Sequence, residues 1–172
     1  GDPYNEILMN KSVNNIKSLN FFKNVKKEVI NENDLDKNIN IYVEEKPTGE
    51  IAAGAGFGTD GGTIFFNVSE NNYLGKGIQI DTSLKLSAEA IKGAFRATHK
   101  NYKNTNKSLS YAIEADEVDQ LKDFGYKSNK TGLSIATKFE YLDDFKLGLG
   151  TSSYYERIET DSTASTRQKK QE

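Results

Sequence analysis

The sequence predicts a small α+β unit followed by an antiparallel, up-and-down β-meander. Over residues 1–46, a helical pattern precedes two alternating segments. From 47 to 158, apolar and polar side chains alternate with the two-residue period of β-strands, and short turns separate the segments. Strands joined by short turns pair antiparallel with their neighbours. Residues 159–172 lack this alternation and predict a loop or disordered tail.

The first unit begins with a predicted helix from about Pro3 to Leu19. Asp2 would accept at the N-cap, and Pro3 needs no donor at the first helical position. Asn20 is a candidate for the left-handed residue that ends the helix. The expected buried stripe is Val13, Ile16 and Leu19.

A hairpin follows this helix. Its strands alternate around the polar turn NENDLDKN, with Val25, Lys27 and Val29 before the turn and Ile39, Ile41 and Val43 after it. Pro47 and Gly49 separate the unit from the meander.

The meander contains seven strand candidates, at about 50–59, 62–72, 76–89, 91–100, 107–118, 129–141 and 144–157. Short turns are predicted at Asp60-Gly61-Gly62, 71–76, 101–106 and 142–144, and a longer loop at 119–128. The strand that begins near Ile78 carries no charge on one face for about a dozen residues. This length is sufficient for a tilted strand to cross a bilayer, which takes roughly 9 to 11 residues.

Composition leaves two kinds of barrel open. Only 35% of the 172 residues are hydrophobic and the mean hydropathy is -0.69. No apolar run reaches the roughly 18 residues of a spanning helix, which excludes a helical membrane protein. A membrane barrel with a wet lumen fits, and so does a soluble sandwich or lipocalin-like barrel. Aromatic residues near strand ends suit membrane girdles: Phe139, Tyr141, Phe145, Tyr154 and Tyr155.

Enzymatic, metal and nucleic-acid functions find no support in the motifs. The chain has no cysteine, and 23 basic against 25 acidic residues give no basic surface. His99 is the single histidine and is expected at a strand end. Residues 56–61 match GxGxxG, but a strand follows where a dinucleotide site needs a helix. A further acidic group lacks the spacing of a calcium loop: Glu114, Asp116, Glu117 and Asp119. We therefore expect no enzyme, cofactor or metal site.

Two strings carry a resemblance to a known family. EEKPTGEIAAGAGFGTDGGTIFFNVSENNYLGKG, residues 44–77, and the upstream GDPYNEILMNKSVNNIKSLNFFKNV resemble the BamA family of outer-membrane protein assembly factors, where the last POTRA domain meets the barrel. The resemblance implies that 1–46 are the C-terminal part of a periplasmic POTRA domain. It also implies that 47–158 are about the first seven strands of a transmembrane β-barrel in the outer membrane. Since no signal peptide is visible and the first unit lacks its beginning, we expect a fragment.

The family resemblance also implies a function and partners. The family belongs to a complex that folds and inserts other barrel proteins. The expected partners are unfolded outer-membrane client proteins, lipoprotein subunits and outer-membrane lipid, with no nucleic acid. The alternatives are a POTRA-barrel polypeptide translocase of a secretion or import system, and a soluble β-barrel carrier.

The candidate site is the first strand of the meander, EIAAGAGFGT. Glycines at alternate positions leave one of its faces nearly without side chains, so its pairing is weak and can exchange. In the BamA-like interpretation it borders the lateral seam of the barrel and pairs with a client strand by β-augmentation. The candidate residues are Ile51, Ala53, Gly54, Ala55, Gly56, Phe57 and Gly58. The alternative is that the glycines only allow curvature or turn geometry.

Overall fold

The computed structural model describes residues 3–31, 37–58, 61–142 and 145–170. The chain forms two compact units, 1–48 and 49–172. Within the described ranges, no helix is both long and apolar enough to cross a membrane.

The helix of the first unit, α1, spans Glu6–Ser18. It begins three residues later than predicted because Asn5, in extended conformation, is the N-cap. The Asn5 side chain accepts hydrogen bonds from two backbone N–H groups of the first turn, at 2.9 and 3.1 Å. The predicted cap, Asp2, lies outside the described residues. Asn20 has the predicted left-handed conformation, with φ 60°.

A two-stranded antiparallel hairpin completes this unit. Its strands are β1, Phe22–Asn31, and β2, Lys37–Glu45, as predicted, and most of the turn between them lies outside the described residues. The core is formed by Met9, Val13 and Val25, with Ile16 and Phe22 packed against it. Leu19 was wrongly expected in the buried stripe: it is the C-cap of α1 and is 43% exposed. Met9, one helical turn before Val13, is buried instead.

The second unit is a seven-stranded antiparallel sheet in which each strand pairs with its neighbours along the chain. The strands are β3 Gly49–Gly58, β4 Gly61–Tyr73, β5 Ile78–Ser87, β6 Ala90–His99, β7 Lys107–Gln120, β8 Tyr126–Leu142 and β9 Phe145–Thr160. The up-and-down meander is therefore confirmed. The sheet is open, with β3 and β9 at its edges.

The sheet has two ends, which we call the turn end and the loop end. The turn end holds the links 74–77 and 100–106, and β3 begins there; the loop end holds the links 88–89 and 121–125. The turn predicted at Asp60-Gly61-Gly62 was wrong for Gly61 and Gly62, because both pair with β3. Asp60 lies outside the described residues, as do 143 and 144 in the predicted 142–144 turn.

Half of the longer loop predicted at 119–128 is paired strand. Strand β7 continues to Gln120, and a single helical turn, α2 at Leu121–Phe124, leads through Gly125 into β8. Gly125 takes the left-handed conformation that ends this turn, with φ 69°. Lys127 stabilises the extension of β7 and β8, since its ammonium group lies 2.6 Å from the carboxylate of Glu117.

The tail predicted as loop or disordered from 159 is ordered as far as it is described. Strand β9 continues to Thr160, and a short helix, α3, spans Thr166–Lys169. Ser165 and Gln168 form a capping box at its start, which fixes the first turn. Ala164 is buried. The Ser-x-x-Gln spacing was the sequence signal for this helix.

Asp161 holds the tail against the α2 link. Its N–H donates to the carbonyl of Gly125 at 2.9 Å. Its carboxylate accepts hydrogen bonds from the Thr163 hydroxyl at 2.6 Å and the Thr163 N–H at 2.7 Å. These bonds, the hydroxyl bond first, lower the pKa of Asp161 below its usual 3.8. The turn is therefore stabilised by the ionised carboxylate.

Candidate functional site at the edge strand and the apolar face

All seven candidate residues lie on β3, at one edge of the sheet. Strand β3 pairs with β4 from Gly49↔Glu70 to Gly58↔Gly61. In an antiparallel edge strand, alternate residues direct their N–H and C=O groups to the neighbour, and the others direct them away from the sheet. The outer side of β3 can therefore accept another strand.

The candidate residues divide between the two faces of the sheet. Ile51, Ala53, Ala55 and Phe57 lie on one face, and Gly54, Gly56 and Gly58 lie on the other. Phe57 is 97% exposed and Ile51 is 73% exposed. The edge strand thus combines an apolar face with a face that lacks side chains from Gly54 to Gly58.

The three glycines of β3 differ in their surroundings. A Cβ on Gly54 would lie 2.5 Å from the ring of Phe65, the residue directly opposite on β4, so this ring covers Gly54. Tyr154 covers Gly132 in the same way between β9 and β8. Gly56 and Gly58 have no heavy atom within 4 Å of such a Cβ. Sequence analysis missed Phe65, since its position over Gly54 follows only from the register.

One face of the sheet, called the apolar face below, carries on each strand a run that begins and ends with a hydrophobic residue and contains no charged residue. The register places these runs side by side: 51–57 on β3, 64–68 on β4, 78–86 on β5, 91–97 on β6, 109–115 on β7, 133–139 on β8 and 145–155 on β9, each counted at alternate residues. Charged residues flank the runs, with Glu70 and Lys107 at the turn end and Glu117 and Arg157 at the loop end.

Within the sheet unit, no described element covers the apolar face as a second layer. In the described part of the sheet unit, the buried hydrophobic side chains are Ala112 and Ala164, and neither lies on an apolar run. Large side chains of the runs remain exposed, for example Ile64 at 59%, Leu133 at 60% and Leu149 at 62%. A sheet in water buries such a face against another layer. This face therefore suits contact with an apolar medium.

The apolar runs are slanted relative to the cross-strand rows. One row of paired residues passes through Ala53, Phe66, Leu84, Gly93, Ala115 and Thr131. Ala53 lies inside the run of β3, whereas Thr131 lies beyond the loop-side end of the run of β8. From β3 to β8 the centre of the run moves toward the turn end by about six residues, or about 20 Å at roughly 3.3 Å per residue.

The slant fixes the angle between the strands and the apolar band. Five strand-to-strand steps of about 4.8 Å separate β3 from β8 by about 24 Å. A 20 Å shift over 24 Å corresponds to a tilt of about 40°, within the roughly 35–45° of membrane barrels. At this tilt the run of β5, Ile78–Leu86, spans about 23 Å, close to the roughly 25 Å apolar band of such barrels.

The opposite face, called the polar face below, carries charges in cross-strand register. Lys92, Asp116, Lys130 and Glu156 lie side by side with alternating sign, and Lys85 lies next to Lys92. The Lys130 ammonium group also lies 4.1 Å from the ring centre of Tyr154. This face suits water.

The remaining predicted residues separate into the two faces. Glu114 and Asp116 lie on the polar face, whereas Glu117 and Asp119 lie on the other, so these four carboxylates form no common site. Among the described residues, no group of three or more His, Cys, Asp or Glu could hold a metal ion. A strand, β4, follows the GxGxxG match, as predicted, and it already begins at the last glycine of the match, Gly61.

The residues predicted for the aromatic girdles and for strand ends do not all lie on the apolar face. His99 ends β6, as predicted, and packs edge-on against Tyr102 with ring centres 5.8 Å apart. Phe139, Phe145 and Tyr155 lie on the apolar face. Tyr154 was expected in a girdle, but the register places it on the polar face over Gly132.

Comparison with known proteins supports the fold alone. No protein-family model matches the chain, and no curated protein matches it. Among solved structures, it is similar to the crystal structure of BamA from Haemophilus ducreyi lacking POTRA domains 1-3, with a TM-score of 0.74 and 18% identity. The match covers 88% of this chain, which spans about 30% of the length of that one. The sheet therefore has the up-and-down architecture of a part of the BamA barrel.

Proposed function

We propose that this chain is part of an outer-membrane β-barrel protein of the BamA kind. In this proposal, residues 1–46 are the C-terminal part of a periplasmic POTRA domain, and β3–β9 are the first seven strands of the barrel. The observation that carries the proposal is the slanted apolar band, because its tilt and height match those of membrane barrels. The likeness in fold to the BamA structure supports it independently.

The two faces then have different solvents. The apolar face contacts lipid, and the polar face, with its alternating charges, lines a water-filled lumen. This division explains why the exposed hydrophobic side chains need no covering layer of protein. A soluble β-barrel carrier would have the opposite arrangement, with its apolar side chains inside.

The function proposed for β3 is strand exchange during the folding and insertion of client barrel proteins. Its outer side offers unpaired backbone groups, and its pairing with β4 ends at Gly58 and Gly61. A client strand would add to this edge by β-augmentation. We further propose that the full-length protein acts together with lipoprotein subunits. A POTRA-barrel translocase is the alternative, and it would pass polypeptides through the lumen without inserting barrels.

The test is the substitution Gly56→Val in the full-length protein. No heavy atom lies within 4 Å of the new Cβ, so the position has open space for it, and the β-branched valine is stiffer than glycine in the edge strand. We expect slower insertion of client barrels into membranes, with normal folding of the variant itself, measured by heat-modifiable gel mobility.

The matched control is Gly93→Val on β6, a strand paired on both sides. The nearest atom to a Cβ at Gly93 is a backbone oxygen at 3.9 Å, an ordinary van der Waals contact, so the new Cβ causes no clash there either. Normal insertion by the Gly93 variant would assign the defect to the edge. Equal loss of folding and insertion in the Gly56 variant would contradict strand exchange at β3.

A further inference from the structure

Two links at the turn end are basic, whereas the link between β8 and β9 contains Asp143 and Asp144. Residues 74–77 and 100–107 contain four lysines and no acidic residue. We propose that Lys103 and Lys107, at the turn-end border of the apolar face, bind the phosphate groups of anionic phospholipids in the leaflet at the turn end of the sheet. This inference rests on the proposed membrane location.

Aromatic rings fix both lysines at the border of the apolar run. The Lys103 ammonium group lies 5.4 Å from the ring centre of Tyr102, and Tyr102 packs edge-on against His99, the last residue of β6. The Lys107 ammonium group lies 5.9 Å from the ring centre of Phe139 on the neighbouring strand. Such contacts hold the cations at defined positions.

The position suits a headgroup rather than the hydrocarbon. Lys107 is two residues before Leu109, where the uncharged run of β7 begins, so its apolar stem can follow the sheet while the ammonium group reaches the interface. Tyrosine with its polar hydroxyl is typical of the same level. Two lysines at this level attract a phosphate, and a membrane surface rich in anionic lipid strengthens the attraction.

Charge compensation differs between the two ends of the apolar face. At the loop end, Lys127 is already neutralised by Glu117 at 2.6 Å and Asp119 at 3.7 Å. At the turn end, Glu70 is the acidic residue that flanks the described apolar runs, and it lies on β4, three strands from Lys107 on β7. Among the described residues, neither Lys103 nor Lys107 forms an ion pair, so their charges remain available to a lipid phosphate.

The experiment uses the full-length protein in vesicles of phosphatidylcholine with or without phosphatidylglycerol. Lipids that remain bound after detergent extraction are counted by native mass spectrometry. The variant is Lys103→Gln with Lys107→Gln, and the control is Lys138→Gln with Lys146→Gln, which removes the same charge at the same end but on the polar face.

We expect the preference for phosphatidylglycerol to fall by about fivefold per lysine in the variant, and to persist in the control. Free glycerol phosphate at millimolar concentration should not displace the lipid, because the site takes its phosphate at a membrane surface. An equal loss in both double variants, or no preference in the unmodified protein, would overturn the headgroup site while the protein stays inserted. Failure to insert into vesicles would overturn the membrane proposal and this inference together.

Discussion

The contrast between Gly54 and Gly56 gives a quantitative test of the register at the edge strand. In Gly54→Ala the new methyl would lie 2.5 and 2.6 Å from two atoms of the Phe65 ring, whereas carbon atoms rest at about 3.5–4.0 Å. The ring must therefore move by about 1 Å or more, and overpacking of this kind costs about 1–3 kcal/mol. The smaller freedom of alanine in the unfolded chain offsets about 0.4–1 kcal/mol of this cost.

In Gly56→Ala only the second effect operates, because nothing lies within 4 Å of the new methyl. We therefore expect Gly54→Ala to destabilise by about 1 kcal/mol and Gly56→Ala to stabilise by about 0.5 kcal/mol. The assay is urea unfolding of the full-length protein in detergent, followed by the heat-modifiable band. In a Phe65→Ala background the penalty at Gly54 should disappear. Equal effects of the two alanine substitutions would refute the pairing of Gly54 with Phe65.

Two further predictions concern the membrane band and the tail. Leu84→Arg should destabilise the inserted protein by about 2–4 kcal/mol. Thr131 lies in the same cross-strand row but beyond the band, so Thr131→Arg should cost at most about 1 kcal/mol. Urea unfolding in vesicles measures both free energies, and equal costs would contradict the slant of the band. The pKa of Asp161 is lowered by Thr163, so its stabilisation of the tail is present above pH 3.8 and is lost as the pH falls through the lower folded value. Pepsin should therefore cleave the tail of the unmodified protein faster below the folded pKa of Asp161 than at pH 3.8, relative to the Asp161→Asn variant at the same two pH values. The same ratio of cleavage rates at both pH values would contradict the role of Asp161.

The sequence was sufficient for the sheet because its strands alternate clearly. Each of the seven strand candidates corresponds to a strand, since one face of every strand must avoid charge and the period of two is hard to mistake. The Asn20 helix end was also predictable, because few residue types tolerate positive φ.

The errors arise where short-range signals compete. Asp2 and Pro3 resemble a helix start, but Asn5 forms the cap because its side chain reaches two N–H groups. Strands β7 and β8 continue through polar residues that cross-strand ion pairs stabilise, as between Lys127 and Glu117. Such pairs depend on register, which a single sequence does not reveal.

The candidate site was only partly predictable. The glycine spacing of β3 was visible, and the structure places this strand at the edge. The difference between Gly54 and Gly56 was not visible, because it depends on which β4 residue lies opposite each glycine. The slant of the apolar band has the same origin, since it appears only when the successive strand-to-strand registers of the sheet are combined. Strand exchange with client proteins stays a prediction.

The central claim, a membrane barrel whose apolar face meets lipid, is tested most directly on the full-length protein by membrane fractionation combined with gel mobility before and after boiling. We predict a band in the outer-membrane fraction that migrates fast when unheated and slows on boiling, because a folded barrel resists detergent unfolding. A soluble protein with the same mobility in both samples would contradict the membrane barrel.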